Sequence, residues 1–115
     1  MAHRHKAMEE LAAQGRVLRD LIPNVYAANS ALSRAVMVDG ALTRCQKELI
    51  ALAISVTREC DGCVDAHARG AVRAGASREE VAEAMGVAIY MNGGPGTVWG
   101  PRALAAYDEL TSEGA

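Results

Sequence analysis

The run RCQKELIALAISVT, residues 44–57, constrains this chain more than any other stretch. Thr43 stands directly before it and Gln46 follows three residues later, the spacing of a capping box that satisfies backbone N–H groups at a helix start. From Leu49 to Val56 the helix so begun is apolar nearly all round. A helix of that kind cannot present a polar face to water, so it is expected at the centre of an assembly of other helices.

The rest of the chain supplies those helices. Helical periodicity runs almost throughout, and no alternating strand pattern of useful length occurs. A first helix is expected from about His5 to Leu21, stopping before Pro23. A second, NVYAANSALSRAVMV, begins near Asn24 and ends at the Asp39-Gly40 turn signal. After the apolar helix, a fourth starts near Asp61 and closes at Gly75, a residue that readily takes the left-handed conformation at a helix end. Ser77 and Glu80 form a second capping box, for REEVAEAMGVAIYM. NGGPG then reads as a tight turn, and a last helix is expected from about Pro101, since proline favours the first helical position. The expectation is an all-α fold of about six helices, with residues 1–115 forming one domain.

Composition bears on what this domain does with its surface. The chain has no Phe, a single tryptophan, Trp99, and much alanine. Small side chains let helices approach closely but bury little area each, and a short chain hides only about two thirds of its surface. Some apolar surface is therefore expected between subunits, in a homo-oligomer. Fourteen acidic and twelve basic residues are interspersed, for a net charge of −2. The one basic concentration, HRHK near the N-terminus, is too short for a nucleic-acid arm, so nucleic-acid binding is not expected. No apolar run approaches the ~18 residues of a membrane span, and the first fifteen residues lack the apolar segment of a secretory signal. A cytoplasmic protein is expected, and structural disulfides are rare there.

Against that background RECDGCVDAHARG, residues 58–70, is the chemically loaded stretch. Cys60 and Cys63 could be a redox dithiol, half of a metal site or a local structural disulfide. With the helix starting at Asp61 or Gly62, Cys63 lies in its first turn and Cys60 just before it. Unpaired N–H groups and the helix dipole favour the thiolate there, which is the nucleophilic form. His67 stands four residues after Cys63, one turn along the same face, where an imidazole could accept the thiol proton directly or through water. If the third and fourth helices form an antiparallel hairpin, Glu48 lies within a turn of the level of His67. It is the last acid before the apolar run and a candidate buried carboxylate. Cys60, Cys63, His67 and Glu48 could also supply four zinc ligands, with His3 and His5 a further source. There is, however, no second paired knuckle. Cys45, at a helix start without a partner, reads as a small structural residue. Tyr90, Met91 and Trp99 read as core, or as lining the approach to the cysteines.

Glu48, eleven residues, Cys60, two residues, Cys63, three residues, His67 resembles the signature of the AhpD-like (alkyl hydroperoxidase D) group of the carboxymuconolactone decarboxylase superfamily. LTRCQKELIALAIS before the motif and AIYMNGGPG after it are similar to the core of that family, and the resemblance covers about residues 20–110. It implies an all-helical subunit assembled as a homotrimer or as a hexamer of paired trimers. It implies that Cys63 attacks a hydroperoxide, that Cys60 resolves the product as a disulfide, and that Glu48 and His67 relay the proton. No tightly bound cofactor is implied and no resident metal. The reductant is an external dithiol, such as dihydrolipoamide carried on a protein. Some members place a second histidine before the second cysteine, where this chain has Gly62. The superfamily also contains true decarboxylases, which generally lack the paired cysteines. A lyase of that kind, and a non-catalytic or metal-binding oligomer, are the alternatives.

Overall fold

A computed structural model describes residues 2–112, with side chains from Arg4 onwards. Six helices run in order: α1 (Ala2–Leu21), α2 (Pro23–Val36), α3 (Arg44–Thr57), α4 (Asp61–Arg73), α5 (Arg78–Asn92) and α6 (Gly94–Ser112). No strand occurs among the described residues, so the all-α expectation holds. The chain divides after Asp39 into two compact units.

In the first unit α2 follows α1 after a break at Ile22, where Pro23 occupies the first turn of α2, and the two helices touch little beyond that junction. Proline lacks the N–H that would continue α1 but loses nothing at a helix start. Among the described residues of this unit none is buried. Leu18, Leu21, Val25 and Leu32 all stand exposed.

In the second unit α3 packs against α4, α5 and α6. Both expected capping boxes are present. The Thr43 hydroxyl accepts from the Gln46 N–H at 3.0 Å while the Gln46 side chain accepts from the Thr43 N–H at 2.8 Å. Ser77 and Glu80 repeat the arrangement at α5. The core is built from small residues of four helices around a few larger ones: Leu52 and Val56 of α3, Val81 of α5 and Leu110 of α6 are the largest fully buried side chains. Gly75 takes φ +84°, and the N–H groups of Gly75 and Ala76 close α4 on the carbonyls of Val72 and Ala71.

Three expectations need correction. The helix α3 is not enclosed on every side. Glu48, Leu52, Ser55 and Val56 make one buried stripe, while Ile50 and Ile54 on the opposite face are exposed. Three partner helices cover one side of a helix, and its apolar back is left open. Second, the last helix begins at Gly94, and Pro101 lies inside it. Gly93, at φ +66°, ends α5 so sharply that Pro95 takes the early-helix position. Pro101 then only removes the bond that the Thr97 carbonyl would have accepted. Third, Tyr90 and Met91 are not core: they are 85% and 72% exposed, whereas Trp99 does pack against the core. They continue the exposed face of α5 that carries Glu79, Glu83 and Gly86, a register that the wholly apolar end of the helix obscures.

Candidate functional site

The site is assembled from the facing sides of α3 and α4 and the turn between them. That turn, Arg58-Glu59-Cys60, is fixed by two backbone bonds. The Cys60 N–H donates to the Ser55 carbonyl and the Glu59 N–H to that of Val56, each at 3.1 Å. This closure puts Glu59 in the left-handed region at φ +52°, unusual for a residue other than glycine. The chain leaves the turn with Cys60 extended, as the N-cap of α4.

Cys60 therefore plays a capping part normally taken by Ser, Thr, Asp or Asn. Its sulfur accepts the Cys63 N–H at 3.3 Å. The two cysteines are joined as a disulfide across the first turn, with Cα atoms 5.2 Å apart, within the ordinary span of such bridges. Both are partly exposed, so a small oxidant or reductant has access.

His67 lies one turn further along α4. Its Nδ1 is 2.8 Å from Oε1 of Glu48, across the α3–α4 interface. The Glu48 residue is only 5% exposed, while the His67 side chain keeps 32%. The charge partner is thus buried and the ring edge is open. With Glu48 ionised its carboxylate can only accept, so in that form Nδ1 carries the hydrogen and Nε2 is left for another partner. The expected pairing of Glu48 with the level of His67 is what the hairpin geometry delivers.

Two residues that sequence reasoning did not single out also shape the site. Gly70, buried one turn beyond His67 on α4, lies directly against the Glu48 carboxylate. The signal was there: a glycine inside a helix lowers its stability and calls for a packing reason. Asn92, the last residue of α5, donates through Nδ2 to Thr57 Oγ1 at 3.0 Å and to the Ala88 carbonyl. It ties the end of α3, just before the cysteine turn, to the end of α5. Nothing in the sequence marks that link.

Other groups stand apart from this chemistry. Burial pushes the Cys45 thiol up, with the Glu80 charge adding to the effect, the opposite of the shift that activates a cysteine. Among the described residues no group of three or more His, Cys, Asp or Glu is placed to hold a metal ion. His3, offered as a ligand source, lies outside the described side chains. No helix of the described residues is long and apolar enough to cross a membrane.

Comparison with known proteins places this arrangement among relatives. The model of the carboxymuconolactone decarboxylase family matches residues 23–108. An uncharacterised protein of Cupriavidus necator is 37% identical over 105 residues, 91% of this chain and 93% of its own length. The uncharacterised protein 4 in the cox locus of Paracoccus denitrificans is 41% identical over 80 residues, covering 70% of this chain and 72% of its own. Among solved structures, the crystal structure of an apo carboxymuconolactone decarboxylase family protein from Legionella pneumophila superposes with a TM-score of 0.89 at 34% identity. That match covers 96% of this chain and 98% of the other.

Proposed function

The chain belongs to the carboxymuconolactone decarboxylase family, and from that premise we propose that it is an AhpD-like thiol peroxidase and disulfide oxidoreductase. One observation carries the reading: the Glu48–His67 hydrogen bond stands one helical turn from a cysteine already paired for disulfide exchange.

In the reduced protein His67 Nε2 takes the Cys63 proton while the Nδ1–H stays on Glu48, so the positive charge formed on the ring is met by a buried carboxylate. The Cys63 thiolate then attacks the terminal oxygen of a hydroperoxide. The O–O bond breaks, the sulfur is oxidised to sulfenic acid, and the alkoxide leaves as an alcohol with the proton held on His67. Cys60 attacks that sulfenic acid, forming the Cys60–Cys63 disulfide and releasing water. An external dithiol of the dihydrolipoamide class, carried by a partner protein, reduces the disulfide and is itself oxidised to a disulfide. Gly62 adds no second proton-handling group, so thiol–disulfide exchange is the more robust half of the cycle. The need for dithiol at every turnover sets the protein in the cytoplasm.

An oligomer belongs to the same reading. Two successive helices with no buried residue among those described are not self-supporting, and Tyr90 and Met91 stand exposed on α5. A homotrimer, or a hexamer of trimers, would cover these surfaces.

The test is a steady-state assay of several hydroperoxides with dihydrolipoamide, on wild type and on the Cys60→Ser and Cys63→Ser variants. Consumption of peroxide that disappears with C63S supports the cycle. Full turnover by C63S would sink it. Stoichiometric zinc in purified protein would favour the metal-binding reading, and release of carbon dioxide from a lactone acid would favour the lyase.

A further inference from the structure

Gly70 is a mid-helix glycine with no conformational excuse. Its backbone is helical; the positive-φ glycines among the described residues are Gly75 and Gly93. Glycine in a helix interior is less favourable than alanine, so a reason for it must be sought in space. A Cβ built on Gly70 would lie 2.7 Å from Oε1 of Glu48, and closer still to Cδ and Oε2. Real Cβ atoms do not approach neighbours within 3.0 Å. Gly86 of α5 offers the contrast: it too is helical, and a Cβ there would meet nothing within 4 Å.

We infer that Gly70 is a positioning residue for the proton relay, its missing side chain forming the notch in which the Glu48 carboxylate sits to hold His67. The inference rests on the relay reading proposed above. His67 and Gly70 are three residues apart on α4 and so share a face; Glu48 reaches across from α3 to both. The glycine lets α4 approach α3 closely enough for Nδ1 and Oε1 to meet, and its open position is where the carboxylate end of Glu48 lies. An added methyl must push either the carboxylate or the whole helix away, and each movement opens the bond that fixes the imidazole tautomer.

Four variants test this: G70A, E48A, the double variant G70A/E48A, and G86A. Long-range nitrogen-15 NMR of the His67 ring reports which nitrogen carries the hydrogen. The wild type should show Nδ1–H, and both G70A and E48A should move the ring to Nε2–H. Misplacing a catalytic group by about 1 Å can cost ~100-fold in rate, so G70A should slow dithiol-dependent peroxide turnover by about that factor. In the E48A background the same substitution should add nothing. Thermal midpoints supply a readout free of activity. G70A should lower the midpoint while Glu48 is present and raise it once Glu48→Ala has emptied the notch. G86A should keep the wild-type tautomer and turnover. A wild-type tautomer in G70A, or a midpoint that rises in both backgrounds, overturns the inference. If G70A fails to fold, refolding on addition of E48A supports it, and continued failure refutes it. If E48A leaves turnover unchanged, the relay falls, while the tautomer and the paired midpoints still decide whether Gly70 seats Glu48.

Discussion

Replacing Glu59 by glycine should make the protein more stable, although it removes an exposed charge and adds no contact. Glu59 holds φ +52° because two bonds require it: Cys60 N–H to Ser55 and Glu59 N–H to Val56. A side chain in that left-handed region costs about 1–2 kcal/mol through the approach of Cβ to the following carbonyl. Glycine escapes that cost but loses more freedom on folding, a penalty of about 0.5–1 kcal/mol. The net gain is on the order of 0.5–1 kcal/mol, or a few degrees in thermal midpoint for a chain of this size. The same unit contains the reverse experiment. Gly75 ends α4 through the same pair of bonds, at φ +84°, so G75A should lose about 1 kcal/mol. Urea unfolding followed by Trp99, the only tryptophan, which packs against the core, measures both at fixed protein concentration. E59A separates charge from conformation, because alanine removes the carboxylate but keeps the strain. The reasoning fails if E59G is no more stable than E59A, or if G75A costs nothing. The bonds that deliver Cys60 to the helix cap are backbone bonds, so the Cys60–Cys63 disulfide should still form in E59G.

Tyr107→Phe should cost roughly 1–3 kcal/mol in urea unfolding, because the Tyr107 hydroxyl donates to the buried Ala76 carbonyl at 2.7 Å and phenylalanine leaves that carbonyl unpaired. The Asp108 carboxyl is held below its usual range, first by the hydrogen bonds from Arg78. A depressed acid stabilises the fold above its unfolded value, so the stability gap between wild type and Arg78→Ala should be present at neutral pH and close as the pH falls below about 4; a gap that widens on acidification would contradict the pairing. Ile54→Asp should barely affect a lone chain, since Ile54 is exposed there, yet if the proposed oligomer uses the back of α3 as a subunit contact, sedimentation should show it split into single chains.

Much of the site was legible because it is written in local rules. Capping boxes at Thr43 and Ser77 fixed where α3 and α5 begin, and Cys63 and His67 followed from helical register alone. Glu48 could be placed near His67 only because the turn before Cys60 is short enough to make α3 and α4 antiparallel neighbours. What the sequence hid was information about partners. Pro101 has the same preference at a helix start wherever it occurs, and only the glycine break at Gly93 decides that Pro95 is used instead. Ile50 and Ile54 look as buried as Leu52 in a one-dimensional pattern, since periodicity reports that a residue is apolar and not which surface covers it.

The same limit explains why the most telling residue of the proposed relay is the one with no side chain. A motif is searched for through groups that react, and Glu48, Cys60, Cys63 and His67 all announce themselves that way. Their arrangement nevertheless depends on two backbone circumstances: a left-handed Glu59 that lets Cys60 become the cap of α4, and an absent Cβ at Gly70 that lets a buried carboxylate reach the ring. Neither position carries chemistry of its own, and each is locally unfavourable, a charged residue at positive φ and a glycine inside a helix. Local preference and fold disagree at both of these points on the α3–α4 pair. Such places are where a sequence is expected to give up stability for function, and so the pair supports the proposal that the α3–α4 seam is the working part of the molecule.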